Sequence, residues 1–480
     1  MKSALGASCL AVVLGSACAV GGGVIVGPGA PARLVIITEP GGTWYGSILD
    51  VQPVVEVRDR DGNLLTRPGL TVTASLTSAG AGVLGGGVMA PVVQGVARFT
   101  GLSISGGSGP ARIVFRSDSL ADVTSAPVVL RQFPADAPFT ITISGPEETV
   151  LAVDQFGLRH TPDGPISFLR DSSGLRVWFA CSTSTCLLQG PTEEQLAPPP
   201  GGGASGPVVF GPSDIAEAFD RDYAGGYSTL RSAKGGDLVM IYHAERHPCN
   251  GPFPFNMSMG VARSSDGGLT WARQGQIARS AESEPAAGAC SYGAFGLGNP
   301  SVVVSRDGSF LLMYFNELVT GQPDEIYLAR APIESDGAPG AWLRYSAGSF
   351  SSPLLGGTGD PVIHRPDPGD STIYAGIGSV SWNAFLGRYV AVFGAMDGFY
   401  YSTSGDGITW TAGRTLQSGP SPNADIPDGT PWTAYPSLLS FDQWSQLTTS
   451  RTGYLYFARG AKGGTPPHYM VRRLFTVTPE

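Results

Sequence analysis

Hydrophobic and polar residues alternate along most of the chain in short runs that end at Gly, Pro, Asn or Asp. Between residues 32 and 132 these runs are Arg33–Thr38, Val51–Arg58, Leu70–Leu76, Val96–Leu102, Ala111–Arg116 and Ala126–Arg131. The turn Asp59-Arg60-Asp61-Gly62-Asn63 follows the second run, and its Asp-Gly pair is typical of hairpins. The spacing predicts a β-sandwich of about a hundred residues.

A repeated pattern begins after residues 133–139, which we interpret as a linker. Each unit has a small-residue turn with an apolar strand, a Gly-led strand rich in Tyr and Phe, and a third strand ending at a turn or Trp. Ser228, Ser301 and Ser437 occupy corresponding positions, and five units fit residues 140–480. Because a ring of such sheets leaves few exposed edges, the pattern predicts a five-bladed β-propeller. The predicted fold class is therefore all-β.

Composition supports this prediction and excludes some partners. Gly (68) and Pro (39) are abundant, while 21 Phe, 16 Tyr and 8 Trp supply material for a core. The net charge is −9 and no run of Lys or Arg occurs, which argues against a nucleic-acid-binding face. No stretch after the first residues is apolar for long enough to span a bilayer.

The N-terminus is typical of an export signal over residues 1–17, with Lys2 followed by apolar and then small residues. Leu14-Gly15-Ser16-Ala17-Cys18 is similar to a bacterial lipobox, although the Leu lies one place too far upstream. Acylation of Cys18 and plain secretion both stay open, so a membrane contact is expected only through a lipid anchor. Residues 18–31 are predicted to be a Gly/Pro tether. The protein is expected to be secreted or attached to a bacterial surface.

Four cysteines follow the signal, namely Cys181, Cys186, Cys249 and Cys290. An even number in an exported chain predicts two disulfides. Because Cys181 and Cys186 flank a hairpin-like Ser-Thr-Ser-Thr, we favour the pairs 181–186 and 249–290, with a zinc site as the alternative.

Two segments match the Asp-box pattern Ser-x-Asp-x-Gly-x-Thr-Trp, one at residues 264–271 and a shorter one at residues 404–410. In such boxes Asp and Gly form a tight turn and Trp packs beneath it, so a structural role is predicted. The residues concerned are Ser264, Asp266, Gly268, Trp271, Ser404, Asp406 and Trp410. Asp boxes occur in sialidases and in other secreted propellers.

Residues 140–478 resemble the five-bladed propeller glycosidases of the arabinanase and β-xylosidase type. The stretches that carry the resemblance are GLGNPSVVVSRDGSFLLMYFNE, SVSWNAFLGRYVAVFGAMDGFYYSTSGDGITW, AYPSLLS and TGYLYFA. In the first domain, VEVRDRDGN and VARFTGLSIS resemble bacterial immunoglobulin-like modules. The resemblance implies an Ig-like sandwich followed by a glycosidase propeller.

Such glycosidases hold three carboxylates around the axis, acting as base or nucleophile, as acid, and as modulator of the acid's pKa. This chain departs from the pattern where Glu-Gly-Pro often supplies the acid, because Gly298-Asn299-Pro300 stands there. The resemblance therefore leaves the acid unassigned.

Four acidic residues at predicted strand ends are the candidate catalytic groups. Asp163 precedes the first unit, where the resemblance places the base, and Asp222 precedes the inner strand of the second unit. Glu245 and Glu317 end the second strands of successive units, so we expect both to face a shared cavity. Solvated strand ends and turns are the alternative interpretation for all four.

The candidate substrate-binding residues are His243, Asn299, Tyr227, Trp382 and Tyr435. His243 is expected to orient a carboxylate, bind sugar or cap a strand, and the aromatic residues to stack on sugar or fill the core. No cofactor is expected, with a structural Ca²⁺ left open.

The expected partner is a carbohydrate, and the expected state is a monomer. A glycoside hydrolase is favoured. A sialidase, which would need an arginine triad, and a non-catalytic glycan- or protein-binding propeller are the alternatives.

Overall fold

The computed structural model describes residues 29–480 except 67–68, 78–81, 108, 118–119, 172, 201–205, 250, 252, 286–289, 319–323, 365–375 and 464–466. The predicted signal, Cys18 and most of the predicted tether therefore lie outside the described residues. Within the described ranges the regular elements are strands and two short 3-10 turns, Gln155–Gly157 and Ile333–Ser335. No helix among these residues has the length and apolar character needed to cross a membrane.

The N-terminal unit is a sheet that closes on itself around one hydrophobic core running from Leu34 to Leu130. Seven of its strands follow the order β1-β2-β6-β5-β3-β8-β9, and β4 pairs with β7. The strands are β1 Arg33–Thr38, β2 Val54–Arg58, β3 Thr71–Leu76, β4 Val83–Gly85, β5 Met89–Val93, β6 Val96–Arg98, β7 Ser103–Ser105, β8 Ile113–Ser117 and β9 Leu120–Thr124. The predicted run Ala126–Arg131 contributes only isolated bridges at Val128 and Arg131.

Five antiparallel blades follow, so the predicted all-β class with a sandwich-like unit and a propeller is confirmed. Blade 1 contains β11 Ser167–Asp171, β12 Gly174–Cys181, β13 Ser184–Gly190 and β14 Val208–Phe210. Blade 2 contains β15 Tyr223–Arg231, β16 Leu238–Arg246, β17 Phe255–Ser264 and β18 Ala272–Ala278. Blade 3 contains β19 Ala294–Val304, β20 Phe310–Leu318, β21 Ile326–Pro332, β22 Leu343–Ser346, β23 Ser349–Pro353 and β24 Pro361–Ile363. Blade 4 contains β25 Gly376–Asn383, β26 Arg388–Ala395, β27 Gly398–Ser404 and β28 Arg414–Ser418.

The last blade closes the ring with a strand from the start of the propeller. It contains β29 Pro431–Ser440, β31 Thr452–Ala461, β32 Tyr469–Pro479 and β10 Phe139–Leu151, while β30 Thr448–Thr449 pairs with β25. Strand β10 runs antiparallel to β32, from Phe139 opposite Pro479 to Leu151 opposite Met470. The two ends of the propeller are thereby joined in one sheet, and this closure removes an open edge. The sequence repeat did not reveal β10, because many of its side chains are exposed.

Serine hydroxyls connect successive inner strands around the axis. Strands β15, β19, β25 and β29 each have a register shift, and the serine after it accepts a backbone N–H from the next blade. The bonds are Val302 to Ser228 (3.1 Å), Val380 to Ser301 (2.8 Å), Leu438 to Ser379 (3.1 Å) and Ile166 to Ser437 (3.1 Å). Between blades 1 and 2, Gln446 accepts from Phe168 N (3.0 Å) and donates to Thr229 O (2.8 Å).

The N-terminal unit packs against one face of the propeller. This is the face where each inner strand ends and turns into the second strand of its blade. Trp44 and Phe133 pack edge-on and tilted against Phe385, with ring centroids 6.2 and 5.0 Å away. The Trp444 indole N–H donates to Leu84 O (3.2 Å). Since the inner strands begin at the opposite face, this packing leaves that face open.

Candidate functional site

A cavity of about 290 Å³ lies on the axis at the face where the inner strands begin. Its lining combines carboxylates, one imidazole, amides and aromatic rings, among them Asp163, Tyr223, Tyr227, His243, Glu245, Phe253, Phe255, Asn299, Asn316, Asp324 and Tyr435. A cleft of about 520 Å³ between blades 3 and 4 also contains two carboxylates, Asp307 and Asp406. Both of these accept hydrogen bonds from their own turns, so the axial cavity is the stronger candidate.

Asp163 lies just before β11 and is held in the cavity by three tyrosines. Its backbone carbonyl accepts the hydroxyls of Tyr223 (2.9 Å) and Tyr227 (2.8 Å). Its Oδ1 accepts the Tyr435 hydroxyl at 3.1 Å. Enclosure by protein atoms and the nearby negative charge of Glu245 raise the pKa of Asp163 to about 6, despite the Tyr435 hydrogen bond. This carboxyl therefore keeps its proton in mildly acidic solution.

Glu245 lies one residue before the end of β16 and binds one imidazole with each carboxylate oxygen. His243 Nε2 lies 2.9 Å from Oε1, and His247 Nε2 lies 2.7 Å from Oε2. Burial opposes the charge, but the two hydrogen bonds outweigh it and lower the pKa of Glu245. The bond to Glu245 in turn raises the pKa of His247. In mildly acidic solution Glu245 is therefore ionised while Asp163 keeps its proton.

The tautomer of His243 follows from the hydrogen bond at Nδ1, the ring nitrogen that does not face Glu245. Nδ1 accepts the backbone N–H of Asn299 at 3.1 Å, so the proton of the neutral ring lies on Nε2, facing Glu245. Asn299 has a φ of 58°, which the register shift in β19 accommodates. A Cβ at Gly298 would lie 2.5 Å from His243 Cε1, so only Gly fits there. Gly298-Asn299-Pro300 thus supports the histidine that binds Glu245.

Asp222, predicted as a catalytic group, lies behind the cavity wall and is not among the residues that line it. Its Oδ2 accepts the backbone N–H of His247 (2.6 Å) and binds Arg221 Nη2 (2.7 Å). The same Arg221 nitrogen donates to His247 O at 2.9 Å. Burial raises the pKa of Asp222, but these bonds outweigh it and lower the pKa. Asp222 consequently holds the His247 segment in place.

Glu317 does not face the cavity, contrary to prediction. Its carboxylate binds Arg344 Nη2 (2.6 Å) and accepts from Ser280 Oγ (3.1 Å). The Arg344 side chain is fully buried (0% exposed), so this pair is structural. The neighbours Asn316 and Leu318 line the cavity instead.

Strand parity explains this error. Ser228 pairs with Ile241 and Ser301 pairs with Tyr314. Glu245 lies four residues beyond Ile241, whereas Glu317 lies three residues beyond Tyr314. Successive side chains of a strand point to opposite faces, so the two glutamates point in opposite directions.

Trp382 is also absent from the cavity. It lies near the far end of β25, where its ring packs edge-on against Tyr389 (5.0 Å) and beneath Arg306 (5.8 Å). Ile377, five residues earlier, lines the cavity, and five strand residues span roughly 16 Å. Tyr227 and Tyr435 lie near the cavity ends of their strands, and both line the cavity.

Both predicted disulfides are confirmed. Cys181–Cys186 joins β12 to β13, with Cα atoms 5.8 Å apart. Cys249–Cys290 joins the segment after β16 to the segment before β19, with Cα atoms 6.1 Å apart. The second bridge joins two segments that reach the cavity, because Phe253 and Ala294, each four residues after one of its cysteines, line the wall.

The two predicted Asp boxes form turns at the outer edges of blades 2 and 4. Asp266 Oδ1 accepts the hydroxyl of Ser264 (2.7 Å) and the N–H of Thr270 (3.0 Å), and the Trp271 indole donates to Gly268 O (3.0 Å). The shorter turn has the corresponding bonds Ser404 to Asp406 (2.9 Å) and Trp410 to Gly407 (3.2 Å). Neither turn lies at the cavity.

Sequence reasoning missed Tyr223, His247 and Asp324, which precedes β21 and adds a third carboxylate to the cavity lining. A signal for His247 exists, because residues at positions i, i+2 and i+4 of a strand share one face. His243, Glu245 and His247 follow that spacing. Among the described residues, no group of three or more His, Cys, Asp or Glu side chains is arranged to hold a metal ion.

The sequence matches no protein-family model and none of the curated proteins. Among solved structures, it is similar to the catalytic domain of the GH62 α-L-arabinofuranosidase of Coprinopsis cinerea (12% identity, TM-score 0.39, covering 72% of this chain and 98% of that one). It is also similar to the exo-β-1,3-galactanase of Phanerochaete chrysosporium (10%, 0.39, 70% and 64%). A third is a Dyadobacter fermentans protein of unknown function (11%, 0.35, 93% and 99%). At TM-scores below 0.5 these likenesses carry no argument for function, which rests on the cavity.

Proposed function

We propose that the protein hydrolyses a glycosidic bond in the axial cavity, with Asp163 as general acid and Glu245 as base or nucleophile. The supporting observation is that two carboxyl groups of one cavity have pKa values displaced in opposite directions. Such a separation lets one group donate a proton while its neighbour stays charged, as glycoside hydrolysis requires.

The acid role fits the surroundings of Asp163. With a pKa of about 6 it is protonated in mildly acidic solution and can transfer that proton to the leaving oxygen. The Tyr435 hydroxyl fixes one oxygen of the carboxyl at 3.1 Å. The anion formed after transfer keeps this hydrogen bond, which stabilises its negative charge.

The base role fits the surroundings of Glu245. His243 and His247 hold both oxygens, so the carboxylate has a fixed orientation and retains its charge. It either removes a proton from water or attacks the anomeric carbon. Asn299 and Asp222 keep the two imidazoles in position.

A carbohydrate fits the lining better than a purely apolar or highly charged ligand. Tyr223, Tyr227 and Tyr435 contribute aromatic rings to the lining, and Asn299 adds an amide. A volume of about 290 Å³ lies at the low end for small-molecule sites and suits one sugar ring. The described lining residues include no Arg, which disfavours a sialidase. The predicted signal and the two disulfides support action outside the cell.

Turnover of nitrophenyl glycosides tests this proposal. Asp163→Asn and Glu245→Gln should each lower kcat by about 10²–10⁴-fold. The exposed Asp214→Asn and Glu334→Gln serve as matched controls and should retain full turnover. Because a good leaving group needs little protonation, the Asp163→Asn loss should be smaller for dinitrophenyl than for alkyl glycosides.

Other outcomes would transfer or remove the assigned roles. A larger loss in Asp324→Asn than in Asp163→Asn would assign the acid role to Asp324. Binding of glycans without turnover across a broad panel would favour the non-catalytic alternative. Full turnover in both Asp163→Asn and Glu245→Gln would refute the proposed mechanism.

A further inference from the structure

An aromatic side chain stands exposed at the mouth of the axial cavity. Phe253 is 63% exposed although it lines the cavity. Its ring lies 5.4 Å from the half-buried ring of Phe255, at an interplanar angle of 42°. Phe255 in turn lies 5.9 Å from the ring of His247, which binds Glu245. A continuous series of rings therefore leads from solvent to the proposed catalytic carboxylate.

The segment that carries these rings is fastened on several sides. The Cys249–Cys290 disulfide joins it to the segment before β19. Phe255 N donates to Gly293 O at 3.1 Å, and Phe255 pairs with Ala294 in a parallel register. The backbone at Phe255 is therefore held in place before any ligand arrives, which lowers the entropic cost of ordering this segment on binding.

Polar contacts beneath the rings add to this support. Asn256, the residue after Phe255, is buried (5% exposed). It accepts the Tyr292 hydroxyl (2.7 Å) and donates to Glu284 Oε2 (3.1 Å), which also pairs with Arg246. These bonds tie the start of β17 to the segment that follows β18.

We infer that Phe253 and Phe255 form a second sugar-binding subsite, so that the protein recognises an oligosaccharide with one ring in the cavity and the next on Phe253. This inference rests on the proposed function and extends it from a sugar to a chain of sugars. The cavity holds about one ring, so a second ring must lie at the mouth. An aromatic face at that point matches the apolar C–H face of a pyranose or furanose ring, and burying an exposed Phe against it is favourable.

Length dependence of binding tests the inference. The probes are the monosaccharide, disaccharide and trisaccharide of linear α-1,5-arabinan, β-1,4-xylan and β-1,3-galactan, titrated by calorimetry into Glu245→Gln so that turnover does not interfere. Affinity should rise about tenfold from the monosaccharide to the disaccharide of the recognised series. Phe253→Ala on that background should remove this gain, and Phe253→Trp should keep it. Phe156→Ala is the matched control, because Phe156 is 40% exposed and does not line the cavity.

The outcomes separate this inference from the proposed function. Equal affinity for monosaccharide and disaccharide, or an unchanged gain in Phe253→Ala, overturns the subsite even if the wild type hydrolyses aryl glycosides. A gain that depends on Phe253 in a protein without turnover supports the subsite and overturns the hydrolase. No binding in any series overturns the subsite, while aryl glycoside turnover still decides the catalytic proposal.

Discussion

Replacement of Asp163 by Asn should stabilise the protein at neutral pH and leave its stability unchanged near pH 4. The pKa of Asp163 is about 6 in the folded protein, against an ordinary value of 3.8. A gap of about two pH units corresponds to about 3 kcal/mol, at about 1.4 kcal/mol per unit. Because the carboxyl faces an open cavity, solvent screens part of this electrostatic cost. We therefore expect Asp163→Asn to raise the free energy of unfolding by about 2 kcal/mol at neutral pH.

The sign of this pH dependence follows from the pH at which the folded and the unfolded states each release the proton of Asp163. The unfolded chain loses it near pH 3.8, whereas the folded protein retains it until about pH 6. Between these values the folded state binds more protons, so the free energy of unfolding falls as the pH rises. Below pH 3.8 both states are protonated, and the penalty disappears. Asn has no charge to desolvate at either pH.

Chemical denaturation at pH 4.0 and 7.5, followed by Trp fluorescence, measures this difference. The free energy of unfolding of Asp163→Asn should exceed that of the wild type by about 2 kcal/mol at pH 7.5 and equal it at pH 4.0. Asp214→Asn, at an exposed position, should match the wild type at both. A loss of stability at pH 7.5, or the same difference at both pH values, would refute the electrostatic account of Asp163.

Three further predictions follow from the same contacts. The pH dependence of kcat/KM should be bell-shaped. It should fall above about pH 6 as Asp163 ionises, and fall again in acid as Glu245 is protonated, at a lower pH than for an ordinary glutamate; a profile without the fall above pH 6 would contradict it. Glu317→Gln should lower the free energy of unfolding in urea by about 3–5 kcal/mol, because it leaves the charge of buried Arg344 without its carboxylate partner. A decrease below about 1 kcal/mol would show that the ion pair is dispensable. Ser437→Ala should cost about 1–3 kcal/mol in the same assay through an unsatisfied N–H, and an unchanged midpoint would argue against the serine connections between blades.

The architecture was predictable because the repeat is periodic. Ser228, Ser301 and Ser437 occupy equivalent places since each inner strand needs the same bond to its neighbour. The pairing of Cys181 with Cys186 was predictable because a short hairpin brings the two residues together. Strand β10 was not predictable in this way, since its partner β32 lies more than 300 residues later and its exposed face gives no clear alternation.

The candidate site was predictable only where position along a strand and side-chain parity agree. Tyr227 and Tyr435 lie near the cavity ends of their strands and line the cavity, whereas Trp382 belongs to the same kind of strand but lies at its other end. Glu245 and Glu317 lie at similar distances from the strand start but on opposite faces. A register error of one residue is invisible in the repeat and decides whether a carboxylate can meet a substrate.

Close packing at the bulge in β19 explains why Gly298-Asn299-Pro300 has no acidic side chain at position 298. At this bulge the backbone N–H of Asn299 binds His243 Nδ1, and a side chain at Gly298 would clash with that ring. A carboxylate side chain therefore does not fit at position 298, and the backbone of Asn299 instead positions His243, which binds Glu245. The remaining negative charge of the cavity comes from Asp163, before β11, and Asp324, before β21. Loops can thus supply carboxylates to an axial cavity, and motifs on the inner strands alone would not reveal them.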